Sequence, residues 1–303
     1  MQPAPAPSSA PATAPLDLRA LCHNIGCAAL GPPSQGRYRR LTRLVEPAPV
    51  AITEMPLPVH ACIDGTQAVR LLVRHEHRDV LLAQLTAGAV DVTTRKIVAL
   101  EERLVGLCSY LDAAELHRAC PELPVEQFEQ HQPWEIPLAV SDWVDQTRRA
   151  LERTVLDASP ARAGSVLVLR GALPADGTRS DVVGAVKTAT DTDWLSDPAQ
   201  IPDERGWRSP ALLLPATRRG ERDRLTALVR LRTCGPAMPW TFSLVRVEVY
   251  ADAGLDVLDA AAARVFVQAP SLRAADPRAE IQMDLMYTTE AVLKSRTAPF
   301  CRG

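Results

Sequence analysis

An apolar run that ends in a carboxylate and a glycine is the first chemically suggestive stretch, running from Val59 to Gln67. Asp disfavours strand interiors, so we predict that Asp64 closes a buried strand. An Asp at a strand end in the middle of a sheet can bind a divalent cation, and Gly65 would let a polymer approach closely. The alternative interpretation is a hairpin turn that Asp64 and Gly65 open.

Two further residues have side chains suited to work on a phosphate. Glu152 lies beside the apolar stripe of a predicted helix, from where its carboxylate can reach a sheet. The alternative for Glu152 is a surface ion pair with Arg148, four residues earlier. Lys187 ends a short apolar run, and its ammonium can stabilise charge on a phosphate; a solvated lysine is the alternative.

Basic residues form two clusters, one near the start of the chain and one past its middle. The first cluster places Arg37, Arg39, Arg40 and Arg43 around Tyr38, and an aromatic ring among arginines can stack on a nucleic acid strand. The second cluster contains Arg218, Arg219 and Arg222. We predict that both clusters guide nucleic acid, with a solvated charged face as the alternative.

The elements that position these residues follow from periodicity. Strands at 59–64, 68–74 and 79–90 predict an antiparallel meander. A run at 165–169 that is apolar on both faces predicts a central strand covered on both sides. The remaining predicted elements are helices at 96–120, 141–156 and 280–294, the last with Asp284 and Glu290, and antiparallel strands at 225–232 and 242–250.

Composition bounds the class of protein. The 303 residues are 47% hydrophobic and 23% charged with a net charge of −2, which is typical of a globular chain and leaves room for a local basic groove. Seven scattered cysteines do not predict a disulfide framework, and no apolar run reaches the length of a membrane span. We therefore expect a cytoplasmic protein without a membrane segment, preceded by a disordered Pro- and Ala-rich tail at 1–17.

Three motifs, taken in order, resemble the NurA family of DNA nucleases. They are Ile63-Asp64-Gly65, a helix with Glu152 that leads into the strand 165–169, and the run 182–188 that contains Lys187. The resemblance covers a domain at 58–296, with an N-terminal extension at 18–57 and a C-terminal tail at 297–303.

This resemblance implies an RNase H-like mixed α/β sheet flanked by helices, and a hydrolase that cuts DNA with Mn²⁺ or Mg²⁺. It also implies a homodimer that works with a HerA-type hexameric ATPase in DNA end processing, repair or antiphage defence. Asp64 and Glu152 match metal-binding catalytic carboxylates of the family, and Lys187 matches its catalytic lysine. Asp284 or Glu290 would supply a further metal ligand from the last helix.

One position departs from the family pattern. Arg170 stands where the family has an Asp, and a guanidinium there would pair with Asp64 or Glu152 and repel a metal cation. Cutting would then need a compensating carboxylate such as Asp176 or Asp181. The competing hypotheses are a degenerate relative that binds DNA or a partner ATPase without cutting, and an unrelated α/β module.

Overall fold

A single mixed sheet organises the part of the chain that the computed structural model describes, which is residues 43–75, 78–108, 113–128, 136–186, 201, 203–235, 242–267 and 284–301. Within these ranges the strands follow the order β1-β10-β11-β12-β8-β7-β3-β4-β5-β6, and β9 pairs with both β11 and β2. The strands are β1 Arg43–Leu44, β2 Val50–Ala51, β3 Val59–His75, β4 Arg78–Asp91, β5 Ile97–Cys108, β6 Val125–Gln127, β7 Val166–Leu169, β8 Val182–Val186, β9 Trp207–Arg208, β10 Leu212–Leu214, β11 Arg224–Arg230 and β12 Leu244–Tyr250.

The middle of the sheet has the RNase H-like arrangement that the sequence predicts. Strands β3, β4 and β5 form an antiparallel meander. On the other side of β3 the sheet continues with β7, which is parallel to β3, and then with β8, which is parallel to β7. The helices are α1 Ala113–Ala119, α2 Ile136–Ala158, α3 Leu255–Val267 and α4 Asp284–Cys301, with a short 3₁₀ turn at Ala251–Ala253. None of the helices in the described ranges is long and apolar enough to cross a membrane.

Helices cover the two faces of the sheet separately. On one face, Val155 and Leu156 of α2 pack on Ala61 and Ile63 of β3. On the other face, a cluster that contains Leu258 of α3 and Met286 of α4 includes Cys62 of β3, Val168 of β7 and Val247 of β12. Because successive side chains of a strand point to opposite faces, Gly65 faces α2 and Asp64 faces α4.

The predicted end of the first strand at Asp64 is wrong, and so is the turn at Asp64 and Gly65. Strand β3 continues without interruption from Val59 to His75, because β4 pairs with it on both sides of Asp64, including Asp64 with Gly88 and Thr66 with Thr86. The strand that ends here is the neighbour β7, whose last residue Leu169 pairs with Ile63. Asp64 therefore lies beside the carboxyl end of β7, while its own strand β3 continues past it.

The predicted helix at 96–120 is also wrong, because most of this segment is strand β5, followed by the short helix α1. The run Glu101-Glu102-Arg103-Leu104 has helix-forming residues, but pairing with β4 along nearly the whole length of β5 overrides this weak preference. Helix α2 begins at Ile136 and not near Ser141. Pro137 is tolerated there because the first turn of a helix does not need its backbone N–H.

Candidate functional site

An arginine joins two carboxylates at the carboxyl end of β7. Arg170 follows the last residue of β7, and its backbone N–H donates to Ile63 O at 2.9 Å. Its Nη1 pairs with Asp64 Oδ2 and lies 2.7 Å from Glu290 Oε2 on α4. The Asp64 and Glu290 side chains are only 4% and 9% exposed, whereas the Arg170 side chain is 21% exposed. The arginine is thus the part of this cluster that reaches solvent.

Two structural features bring Glu290 to this place. Gly88 lies opposite Asp64 on β4, and a Cβ at Gly88 would come within 2.6 Å of Leu293 Cδ2 on α4, so any larger residue would force the Leu293 side chain to shift. Lys294, one turn after Glu290, places its Nζ 2.6 Å from Glu290 Oε1. Both oxygens of Glu290 therefore face a cation.

The third carboxylate reaches β3 from the opposite face of the sheet. Glu152 is buried on α2 and pairs through Oε1 with Arg148 Nη1, as the alternative interpretation of Glu152 predicts. Arg148 Nε also donates to Gln67 Oε1 at 3.1 Å. A Cβ at Gly65 would lie 2.8 Å from Arg148 Cγ, so the absence of a side chain at Gly65 makes room for this pair.

The cluster around Arg170 and the Glu152–Arg148 pair influence each other electrostatically, although α4 and α2 cover different faces of the sheet. Burial raises the pKa of Glu152 to about 7, the positive charge of Arg148 opposes that rise, and the negative charge of Asp64 adds to it. Burial lowers the pKa of Arg170, but Asp64 and Glu290 outweigh this effect and the net change is upward. Arg170 consequently keeps its charge across the whole physiological pH range.

These residues do not fit a divalent cation as they stand. The Arg170 guanidinium takes the place between Asp64 and Glu290 that a metal ion would need, and Arg148 holds Glu152. Asp176 and Asp181, the possible compensating carboxylates, pair instead with Arg153 and Arg179. Over the described ranges, no group of three or more His, Cys, Asp and Glu side chains is arranged to hold a metal ion.

The segment after Arg170 is tied to β11 and β12 by residues that the sequence analysis did not single out. Glu248, fully buried on β12, accepts from Leu173 N at 2.9 Å, and Arg224 Nη1 donates to Leu173 O at 2.8 Å. Tyr250 Oη donates to Pro174 O at 2.8 Å. A charged residue within an apolar strand was the signal that could have identified Glu248, because a buried charge needs partners. These contacts fix the backbone immediately after Arg170.

The other predicted site residues are not brought to this centre by the described contacts. Arg222 stacks on the Tyr250 ring at 3.8 Å and pairs with Asp252, which gives it a structural partner set. Arg218 and Arg219 are exposed in the segment before β11. Asp284 is the first residue of α4, and its side chain is not described. Lys187, Arg39 and Arg40 lie outside the described residues.

Fold and centre together define a mixed α/β protein whose central sheet is flanked by helices and has an arginine inside a carboxylate cluster. Neither a family model nor a curated protein matches the chain. Among solved structures, the chain is similar to the NurA nuclease from Sulfolobus solfataricus, with a TM-score of 0.42 and 10% identity over 94% of this chain and 95% of that one. It is also similar to endonuclease V from Streptomyces avermitilis, with a TM-score of 0.36 and 15% identity over 92% and 94% of the two chains. For the catalytic domain of human endonuclease V the TM-score is 0.26, with 15% identity over 91% and 98%.

Proposed function

We propose that this chain binds DNA through a nuclease-type centre that an arginine has closed to divalent cations, and that it does not itself cut DNA. Its role would be in DNA end processing, repair or antiphage defence, as a homodimer that works with a HerA-type ATPase. The pathway, the dimer and the ATPase partner rest on the resemblance of the ordered sequence motifs, and the lack of cutting rests on the geometry of the centre.

The observation that carries the proposal is the position of Arg170. Its guanidinium sits between Asp64 and Glu290 at the end of a central strand, and both carboxylates are almost fully buried. A divalent cation could enter only if Arg170 left, and its departure would take one cationic partner from two buried carboxylates. Binding a metal therefore costs more here than in a cluster of carboxylates alone.

The charge balance of the centre supports nucleic acid binding without a metal. Asp64, Glu152 and Glu290 are matched by Arg170, Arg148 and Lys294, so the centre has no net negative charge, and it gains a positive one when Glu152 is protonated. Three carboxylates without these cations would repel a phosphate. With the cations in place, no metal ion is required before a phosphate backbone can approach.

A second candidate function is the metal-dependent nuclease that the sequence predicts. One observation favours it, namely that buried carboxylates from three separate elements lie near the end of β7, with Asp64 of β3 and Glu290 of α4 on one face of the sheet and Glu152 of α2 on the other. Such convergence is what a site for metal-assisted phosphodiester hydrolysis requires of its protein ligands. This candidate function requires the Arg170 guanidinium to move out from between Asp64 and Glu290, because the residues as arranged do not fit a metal ion.

One set of assays separates the two functions. Purified protein would be incubated with labelled duplex and single-stranded DNA, with Mn²⁺, with Mg²⁺ or with EDTA, and both binding and cleavage measured. We expect binding in EDTA and no cleavage under any condition, and we expect Arg170→Asp to gain manganese-dependent cleavage. Arg118→Asp, on the exposed face of α1, is the matched charge control.

Cleavage by the wild-type chain that needs Mn²⁺ and disappears in Asp64→Asn would overturn the proposal in favour of the nuclease. Asp142→Asn, at an exposed position of α2, controls for the loss of one carboxylate and should leave any activity unchanged. Absence of DNA binding by the wild-type chain, with both substrates and in EDTA, would overturn both candidates.

A further inference from the structure

Arg170 uses only one of its three nitrogens in the centre. Its Nη1 contacts both Asp64 Oδ2 and Glu290 Oε2. Among the described residues, no side-chain or backbone group binds Nε or Nη2 of Arg170. The side chain is 21% exposed, and neither nitrogen is a fully buried atom that lacks a hydrogen-bond partner, so both keep some contact with solvent.

The geometry of a guanidinium gives this observation its meaning. The N–H bonds of Nε and Nη2 run side by side along one edge of the planar group, and that edge matches two oxygens of a phosphate. Nη1 lies away from this edge. Arg170 can therefore hold its two carboxylates with Nη1 and still present a complete bidentate edge to a ligand.

The space beside Arg170 is open to such a ligand. Gly171 follows directly with a φ of +150°, and a Cβ built on it would meet no atom of the described part of the chain within 4 Å. Glu248 and Arg224 hydrogen-bond the backbone of Leu173, two residues beyond Gly171. These bonds restrain the backbone from which the Arg170 side chain extends. A polymer backbone can thus approach a positioned arginine without first displacing a side chain at residue 171.

We propose that Arg170 binds one phosphate of a nucleic acid backbone through its Nε and Nη2 edge, with no divalent cation between them. This inference rests on the proposed DNA-binding function and assigns the group that receives the phosphate. It makes Arg170 a ligand-binding residue as well as the internal partner of Asp64 and Glu290. The ligand is a phosphodiester of single-stranded or duplex nucleic acid.

The test compares Arg170→Lys with the wild-type protein in EDTA. A lysine ammonium can lie between Asp64 and Glu290 but has no bidentate edge left over. By fluorescence anisotropy with short oligonucleotides over a range of salt concentrations, we expect affinity to fall about tenfold and the salt slope to lose about one phosphate contact. Arg118→Gln, on α1, should change neither quantity.

A second measurement needs no variant and holds even if Arg170→Lys folds poorly. Oligonucleotides that each carry one uncharged methylphosphonate linkage would be scanned against the wild-type protein, and we expect a loss of about tenfold at one linkage. Arg170→Lys should be insensitive at that same linkage. A merely structural role of Arg170 would not remove the sensitivity at a single position.

Two results would overturn the inference, and they differ in what else they overturn. If the wild-type chain binds DNA in EDTA while Arg170→Lys keeps the same affinity, salt slope and linkage sensitivity, the phosphate contact lies elsewhere and the proposed function stands. If the wild-type chain binds no DNA, the proposed function fails as well.

Discussion

Arg170 and Arg208 each join two carboxylates from separate elements, and they differ in how many of their nitrogens these partners use. Arg208 is 1% exposed, and its Nε, Nη1 and Nη2 are all used, on Asp259, on Glu46 and on a backbone carbonyl. Arg170 is 21% exposed and uses Nη1 alone. The carboxylates show the reverse order, because Glu46 and Asp259 are 18% and 22% exposed while Asp64 and Glu290 are nearly buried.

This difference separates a structural clamp from a site. All three nitrogens of Arg208 bind groups within the protein, and these bonds connect β9 to α3 and to the segment around Glu46. At Arg170 the fold has buried two acids and left part of the cation facing solvent. A buried ion pair alone is weak evidence of function, but a partly exposed cation with unused donors is informative.

The largest expected effect comes from removing the Arg170 cation. Arg170→Met should lower the free energy of unfolding by about 3–5 kcal/mol, because it leaves Asp64 and Glu290 buried with less compensation. Adding Asp64→Asn should recover about half of this loss, since one buried charge is then gone. Urea denaturation followed by circular dichroism measures both.

The corresponding pair at the other arginine sharpens the comparison. Arg208→Met should be recovered little by Glu46→Gln, because Glu46 is already partly hydrated. Equal recovery at the two sites would show that the buried acids of the Arg170 cluster are not special.

The next effect concerns the pH dependence that Glu152 contributes. Burial raises its pKa from 4.5 to about 7. A carboxyl with a raised pKa binds more protons folded than unfolded, so its contribution to stability is present at acidic pH and is lost as pH rises from about 4.5 to 7. Glu152→Gln should therefore stabilise the protein at pH 8 by about 3 kcal/mol and hardly at pH 4.

Thermal unfolding of Glu152→Gln and wild type across this pH range tests the sign. The exposed carboxylate Asp142 provides the control, since Asp142→Asn should leave the pH profile as it is. A variant that is less stable than wild type at pH 8 would mean that the Arg148 ion pair outweighs the burial of Glu152.

The smallest expected effect is the difference in the free energy of unfolding between Arg208→Lys and Arg170→Lys. Arg208→Lys should lose about 1–2 kcal/mol, because one ammonium cannot replace a guanidinium that binds Asp259 through Nε and Glu46 through both Nη1 and Nη2. Arg170→Lys should lose less than about 0.5 kcal/mol, since one nitrogen already makes both contacts. Equal losses at the two positions would contradict the view that Arg170 has donors to spare.

The sequence allowed the sheet core to be predicted but not the length of its strands. Alternation and apolar runs identified the meander, the central strand β7 and the pair β11 and β12, all of which form. Asp64 and Gly65 were misplaced because their local preference opposes a strand, while the pairing of β3 with β4 that overrides it is set by distant residues. The same holds for β5, whose helix-forming residues extend a sheet.

The carboxylate centre was predictable only in part, because its partners also depend on how distant elements pack on the sheet. Arg170 as a partner of Asp64 follows from charge alone and is confirmed as a contact. Its second partner is Glu290 and not Glu152, because Arg170 and α4 lie on one face of the sheet and α2 on the other. Gly65 and Gly88 were the overlooked signal, since glycine within a strand marks a place where another element packs closely.

Manganese binding to the unaltered protein tests the central claim most directly. If Arg170 occupies the cation position, millimolar Mn²⁺ should leave the melting temperature of the wild-type chain unchanged and should raise that of Arg170→Asp, because a ligand stabilises only the protein that binds it. A rise in the wild-type melting temperature that Asp64→Asn abolishes would show that the metal displaces the arginine, and would contradict the account.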